Sequence, residues 1–164
     1  MAKKAAYMGM FTALAFVFSY LEFLIPINLG IPGVKLGLAN LVTIVALYTM
    51  GIKEACTLSL ARIVLNSFTF GTPAAMLYSL AGGFLSLLAM AAAQKIKLFS
   101  VTGVSVLGGV FHNLGQILAA ALVVENAKLL YYFPVLVLSG TLAGTVIGIL
   151  AAMVIKRLDK HMHD

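Results

Sequence analysis

ACTLSLARIVLNSFTF (55–70) is an apolar run interrupted near its centre by Arg62 and, one turn later, by Asn66. It holds no carboxylate that could neutralise the arginine. A charged side chain at the middle of a bilayer costs about 2.5–3.5 kcal/mol on insertion scales, so it is usually kept for a cavity, a pathway or a ligand. A second run, VTGVSVLGGVFHNLGQILAAALV (101–123), carries His112, Asn113 and Gln116 and is equally free of acids. The two together predict a polar, cationic cavity inside a membrane.

Composition agrees with a membrane domain. Of 164 residues, 62% are hydrophobic and 10% charged, there is no Trp, and the mean hydropathy is +1.08. A soluble chain of this length cannot hide that much apolar surface, because a small core buries too little of what the unfolded chain exposes. A single membrane domain over 1–164 is the simplest organisation.

Six spans are predicted, at 5–25, 35–50, 55–70, 74–93, 101–123 and 135–155, making an all-α integral membrane protein built as a six-helix bundle. PINLGIPG (26–33), GIKE (51–54), GTP (71–73), QKIKLF (94–99) and the stretch 125–134 separate them, and proline and glycine are the strongest local helix punctuators. Each span is apolar all round and none shows the period-two alternation of a barrel. Spans two and three are short against the roughly 20 residues that a 30 Å hydrocarbon core requires, so a re-entrant pair is the alternative there.

Lysine and arginine set the orientation. Lys3, Lys4, Lys53, Lys95, Lys97, Lys156, Arg157 and Lys160 fall on one side and Lys35 and Lys128 on the other, which predicts that both termini are cytoplasmic. The net charge of +6 is then a topology signal and an attraction to anionic headgroups, not a nucleic-acid footprint. The first apolar run is too long for a secretory signal and lacks a small-x-small cleavage site after it. Cys56, the one cysteine, excludes an internal disulfide and is expected to pack as a small hydrophobe.

With that orientation the polar residues fall at one depth. Ser59, Arg62 and Asn66 share a helical face, His112 and Gln116 share another, and Asn40 and Lys35 approach the same outer half from span two. The predicted lining is Lys35, Asn40, Arg62, Asn66, His112, Asn113 and Gln116. Arginine brings five fixed donors, the amides orient a ligand, and histidine gives a donor or an acceptor, a set suited to a carboxylate or phosphate. The competing reading is structural: Arg62 paired with Glu22, and the amides serving as hydrogen-bonded glue between helices.

Small residues recur every four positions on span six (Gly140, Gly144, Gly148, Ala152) and on span one (Ala5, Gly9, Ala13), a spacing that lets helix backbones approach closely. On span six this predicts packing within the bundle. On span one an external helix partner is an equal alternative.

Catalytic signals are missing from the sequence. The acids are Glu22, Glu54, Glu125, Asp159 and Asp164, scattered over both sides, so no paired carboxylates are expected to hold a metal or divide acid and base roles. There is no glycine-rich phosphate loop ending in Lys-Ser/Thr, so the chain is not expected to hydrolyse ATP itself. His161 and His163 read as a solvated tail, and no cofactor is called for.

PGVKLGLANLVTIVALY (32–48), ARIVLNSFTFGTPAAMLYSLAGGFLS (61–86) and FHNLGQ (111–116) mix polar and glycine positions into apolar helices. In these runs the chain resembles the bacterial proteins called the Gx transporter family, also labelled heptaprenyl diphosphate synthase component I, over most of its length. That family in turn is similar to the substrate-binding S components of energy-coupling factor transporters, six-helix proteins that capture vitamins and related solutes from outside. The resemblance implies docking through the small-residue stripe Ala5, Gly9 and Ala13 onto a transmembrane coupling subunit driven by two ATPases, and a gate formed by residues 26–35. The enzyme label implies a different partner, a catalytic prenyl synthase subunit; this chain lacks the DDxxD-like cluster through which trans-prenyl synthases hold magnesium.

The expectation is therefore a multi-pass protein of the bacterial cytoplasmic membrane that binds a small anionic or polar solute from outside. The alternatives are a non-catalytic accessory subunit in isoprenoid synthesis and a structural scaffold of a membrane complex.

Overall fold

A computed structural model describes residues 2–24 and 37–163, with side chains over 4–24 and 37–158. The helices are α1 (Ala2–Leu24), α2 (Leu38–Thr49), α3 (Ile52–Thr69), α4 (Pro73–Ile96), α5 (Val101–Val123) and α6 (Phe133–His163), with a 3-10 turn over Ala127–Tyr132 ahead of α6. No strand occurs among the described residues.

The breaks act as helix punctuation with identifiable chemistry. Thr72 caps α4, its hydroxyl accepting from the Ala75 N–H at 3.1 Å, and Pro73 follows in the first turn, where a missing N–H costs nothing. Ser100 caps α5 in the same way, accepting from the Gly103 N–H at 3.2 Å. α4 stops at Lys97, whose φ of 58° is left-handed.

Four segments, Lys4–Leu24, Pro73–Ile96, Val101–Val123 and Ala127–Leu158, are long and apolar enough to cross a membrane by length and composition. The protein is accordingly a multi-pass, membrane-associated helical bundle. α2 and α3 differ from the other four. At 12 residues α2 is about 18 Å long, and at 18 residues α3 is about 27 Å. α2 buries Ala39, Val42, Thr43, Ile44, Val45, Ala46 and Leu47, which covers nearly its whole circumference. An apolar helix of that length is the kind that other helices enclose, and here α1, α3 and α6 pack around it.

Neighbouring contacts fix the directions. α1 and α3 run parallel: the Lys4 ammonium pairs with Glu54 at one end, and Phe70 packs against Phe16, Tyr20 and Phe23 at the other, with ring centroids 5.1–5.9 Å apart. α5 and α6 run antiparallel in near backbone contact. A Cβ on Gly148 would lie 2.6 Å from Thr102 Cα, one on Gly144 2.7 Å from Val106 Cα, and one on Gly109 2.5 Å from the Gly140 carbonyl oxygen. The small-residue stripe of α6 is thus packing within the chain, as its spacing predicts.

The start of α1 and the end of α6 therefore lie at the same end of the bundle. The exposed cations Lys4, Lys53, Lys95, Lys97, Lys156 and Arg157 all sit at that end, and Lys128 sits at the other. Cys56 departs from expectation: it is exposed on the outside of α3, because its neighbour Ala55 takes the buried position.

Candidate functional site

Arg62 comes from the middle of α3, on the face that Ser59 and Ile63 also bury. Its side chain is 7% exposed. One terminal nitrogen, Nη2, donates to Asn40 Oδ1 at 3.3 Å, tying α3 to the first turn of α2. Its Nε has no hydrogen-bond partner among the described residues, and neither has Asn66 Oδ1 one turn further along the same face. No carboxylate among the described residues forms an ion pair with the guanidinium.

Glu22 is near enough to act on Arg62 through its charge, but it is engaged elsewhere. Its carboxylate accepts the backbone N–H of Gly37, the residue that opens α2. A helix start carries partial positive charge and unpaired N–H groups, so an acid is stabilised there. Gly37 has φ 76°, a left-handed conformation that favours glycine, and it lies beside Asn40, whose amide nitrogen would be 3.5 Å from a Cβ at Gly37. Glu22, Gly37, Asn40, Arg62 and Asn66 thus form one polar cluster where α1, α2 and α3 meet. The direct Arg62–Glu22 pair that the sequence also allowed does not form.

His112 and Gln116 are on the other side of α4. A Cβ on Gly82 would lie 2.7 Å from the His112 carbonyl oxygen and 2.8 Å from Gln116 Cγ, whereas one on Gly83 would lie 2.9 Å from Ile63 Cδ1. The glycine pair therefore lets α3 and α5 both close onto α4 at one level, which brings Arg62 and His112 to similar depth. The sequence offered this signal as GG inside SLAGGFLS (79–86), without indicating which neighbours it served.

Asn113 separates from the predicted lining. Its amide nitrogen donates to the Leu136 carbonyl at 2.8 Å and to Ser139 Oγ at 3.3 Å, which commits it to the α5–α6 seam. Its neighbour on the chain, His112, faces α4 because adjacent helical positions are about 100° apart. Lys35 and the predicted 26–35 gate lie outside the described residues. Ala5, Gly9 and Ala13 are exposed on α1, and a Cβ on Gly9 would meet nothing within 4 Å.

A separate open hollow of about 420 Å³ lies at the far end of the bundle, lined by Leu118, Ala121, Leu122, Glu125, Ala127 and Leu130. None of the predicted site residues lines it. Among the described residues no group of three or more His, Cys, Asp or Glu side chains comes together as metal ligands would.

The family model for heptaprenyl diphosphate synthase component I matches residues 11–154. The chain belongs to this family. The match spans α1 to α6 and includes the whole Arg62 cluster. Neither the curated proteins nor the solved structures gave a match to the chain.

Proposed function

We propose that this member of the component I family is the solute-binding component of an energised uptake transporter, capturing a small anionic or polar solute at the end opposite its lysine-rich one. Arg62 carries the reading: a nine-tenths buried guanidinium bonded, among the described residues, to one neutral amide and to no carboxylate. A buried charge that lacks a bonded counter-ion is costly, and an arginine held in this state among the described residues favours a ligand that supplies one. A carboxylate or phosphate oxyanion fits its planar fork of donors.

Further features support the same reading. The clustering of cations at one end favours cytoplasmic termini by the positive-inside rule, which turns the Arg62 cluster toward the outer half of the membrane. The exposed Ala5, Gly9 and Ala13 stripe leaves α1 open to a second helix, as docking on a coupling subunit with two ATPases requires. The cell membrane of a bacterium is the setting this implies.

Native mass spectrometry of the purified protein in mild detergent, with and without Arg62→Ala, tests the proposal. A small molecule that co-purifies with the wild type and is lost from the variant supports capture. A protein that stays empty when offered candidate anions refutes it.

The family description favours a second reading, in which the chain is a non-catalytic accessory subunit beside a catalytic prenyl synthase. Co-expression with that synthase separates the two: on the accessory reading prenyl chain production depends on this chain, and on the transport reading it does not. A pure scaffold is distinguished by Gly9→Leu, which would then be harmful while Arg62→Ala is harmless.

A further inference from the structure

The Arg62 cluster leaves two complementary atoms open, one a donor and one an acceptor. Arg62 Nε donates to nothing and Asn66 Oδ1 accepts from nothing among the described residues, although both atoms are buried. They sit one turn apart on one face of α3, a spacing that a single small molecule can span. They do not satisfy each other, even though a donor and an acceptor four positions apart on a helix could meet. An oxyanion alone would fill the arginine and leave the amide oxygen stranded, and a buried acceptor without a donor carries its full desolvation cost.

We infer that the solute carries two groups, an oxyanion for Arg62 and a separate hydrogen-bond donor, a hydroxyl or ammonium, for Asn66 Oδ1. This rests on the capture reading above and narrows its substrate class from any small anion to hydroxy or amino acids and their phosphate counterparts. Glu22 is compatible with a donor of either charge. Its carboxylate holds the Gly37 N–H, retains further lone pairs, and already acts on Arg62 through charge. A site built around an acceptor discriminates strongly against analogues that lack the matching donor, because the acceptor then stays buried and unpaired.

The test is calorimetric titration of the full chain in detergent with matched acids: butyrate against 2-, 3- and 4-hydroxybutyrate and 4-aminobutyrate, and propyl phosphate against glycerol phosphate. At least one donor-bearing member is expected to bind the wild type at least about tenfold more tightly than its plain analogue. Asn66→Ala should shrink that preference to about twofold or less while plain-acid affinity holds, and Asn66→Ser, which keeps an acceptor oxygen, should restore part of it. Arg62→Ala should lose both kinds of ligand. Plain and donor-bearing acids binding the wild type equally, or Asn66→Ala keeping the preference, overturns the two-group inference and leaves capture standing. If no acid binds the wild type, the capture reading falls and the inference falls with it.

Discussion

Gly82 of α4 and His112 of α5 meet backbone to backbone, so closely that a Cβ on the glycine would stand 2.7 Å from the histidine carbonyl oxygen. Such an approach tolerates no larger side chain without moving a helix. Gly82→Leu is expected to destabilise the bundle by about 1–3 kcal/mol or more through overpacking. Gly9→Leu, where a Cβ meets nothing within 4 Å, should leave thermal stability in detergent unchanged or slightly raised. Equal loss of stability in the two variants would contradict this packing.

Asn40 is the only hydrogen-bond partner that Arg62 has among the described residues. Asn40→Leu should therefore cost about 1–3 kcal/mol by leaving the guanidinium wholly unpaired. The double variant Asn40→Leu/Arg62→Leu should recover most of that stability, because replacing a buried polar pair with apolar residues is often neutral. A double-mutant cycle of melting temperatures reads this coupling directly.

Asn113 joins α5 to α6 through Leu136 and Ser139. Asn113→Ala should lower stability by about 0.6 kcal/mol, with about 1.7 as the upper end for such bonds between membrane helices. It should leave solute affinity as it is. A binding defect in this variant as large as that of Arg62→Ala would return Asn113 to the lining.

Glu54 lies in the GIKE break ahead of the apolar part of α3, where the Lys4 side chain donates to it and holds its carboxyl below the ordinary value of 4.5. A carboxyl whose folded pKa is depressed contributes stability above its unfolded pKa and loses it as pH falls through the folded value. The contact between the start of α1 and α3 should therefore be complete at neutral pH and weaken below about pH 4.5. Glu54→Gln should flatten that part of the stability profile, as seen in melting temperatures across pH.

Much of this arrangement was legible in the sequence. The apolar runs and their Pro and Gly breaks placed all six helices, with ends within three residues of those seen except that α6 runs on from the predicted 155 to His163, and the GTP break fell where Thr72 caps α4. The length shortfall of span two was visible too, but not its reason. That α2 is enclosed on almost every side follows from tertiary packing, which a uniformly apolar segment does not encode. At the site, the expectation from depth put Asn40 and Arg62 at one level, and the two side chains are hydrogen-bonded. Depth could not separate His112 from Asn113, because two adjacent residues share a depth and differ only in which neighbouring helix each faces. Glu22 at the start of α2 was missed for a similar reason, since its partner is a backbone N–H and leaves no mark in side-chain chemistry.

The enclosure of α2 also constrains how the chain is made. A helix of about 18 Å cannot cross the hydrocarbon core unaided, and a backbone end left in lipid finds no partners for its N–H groups. α1 and α3 cover part of α2, and its cover is completed only when α6, the last of these six helices along the sequence, packs against it. A chain truncated before α6 should leave α2 open to the quality-control proteases that survey unfinished membrane proteins, and a chain that includes α6 should not.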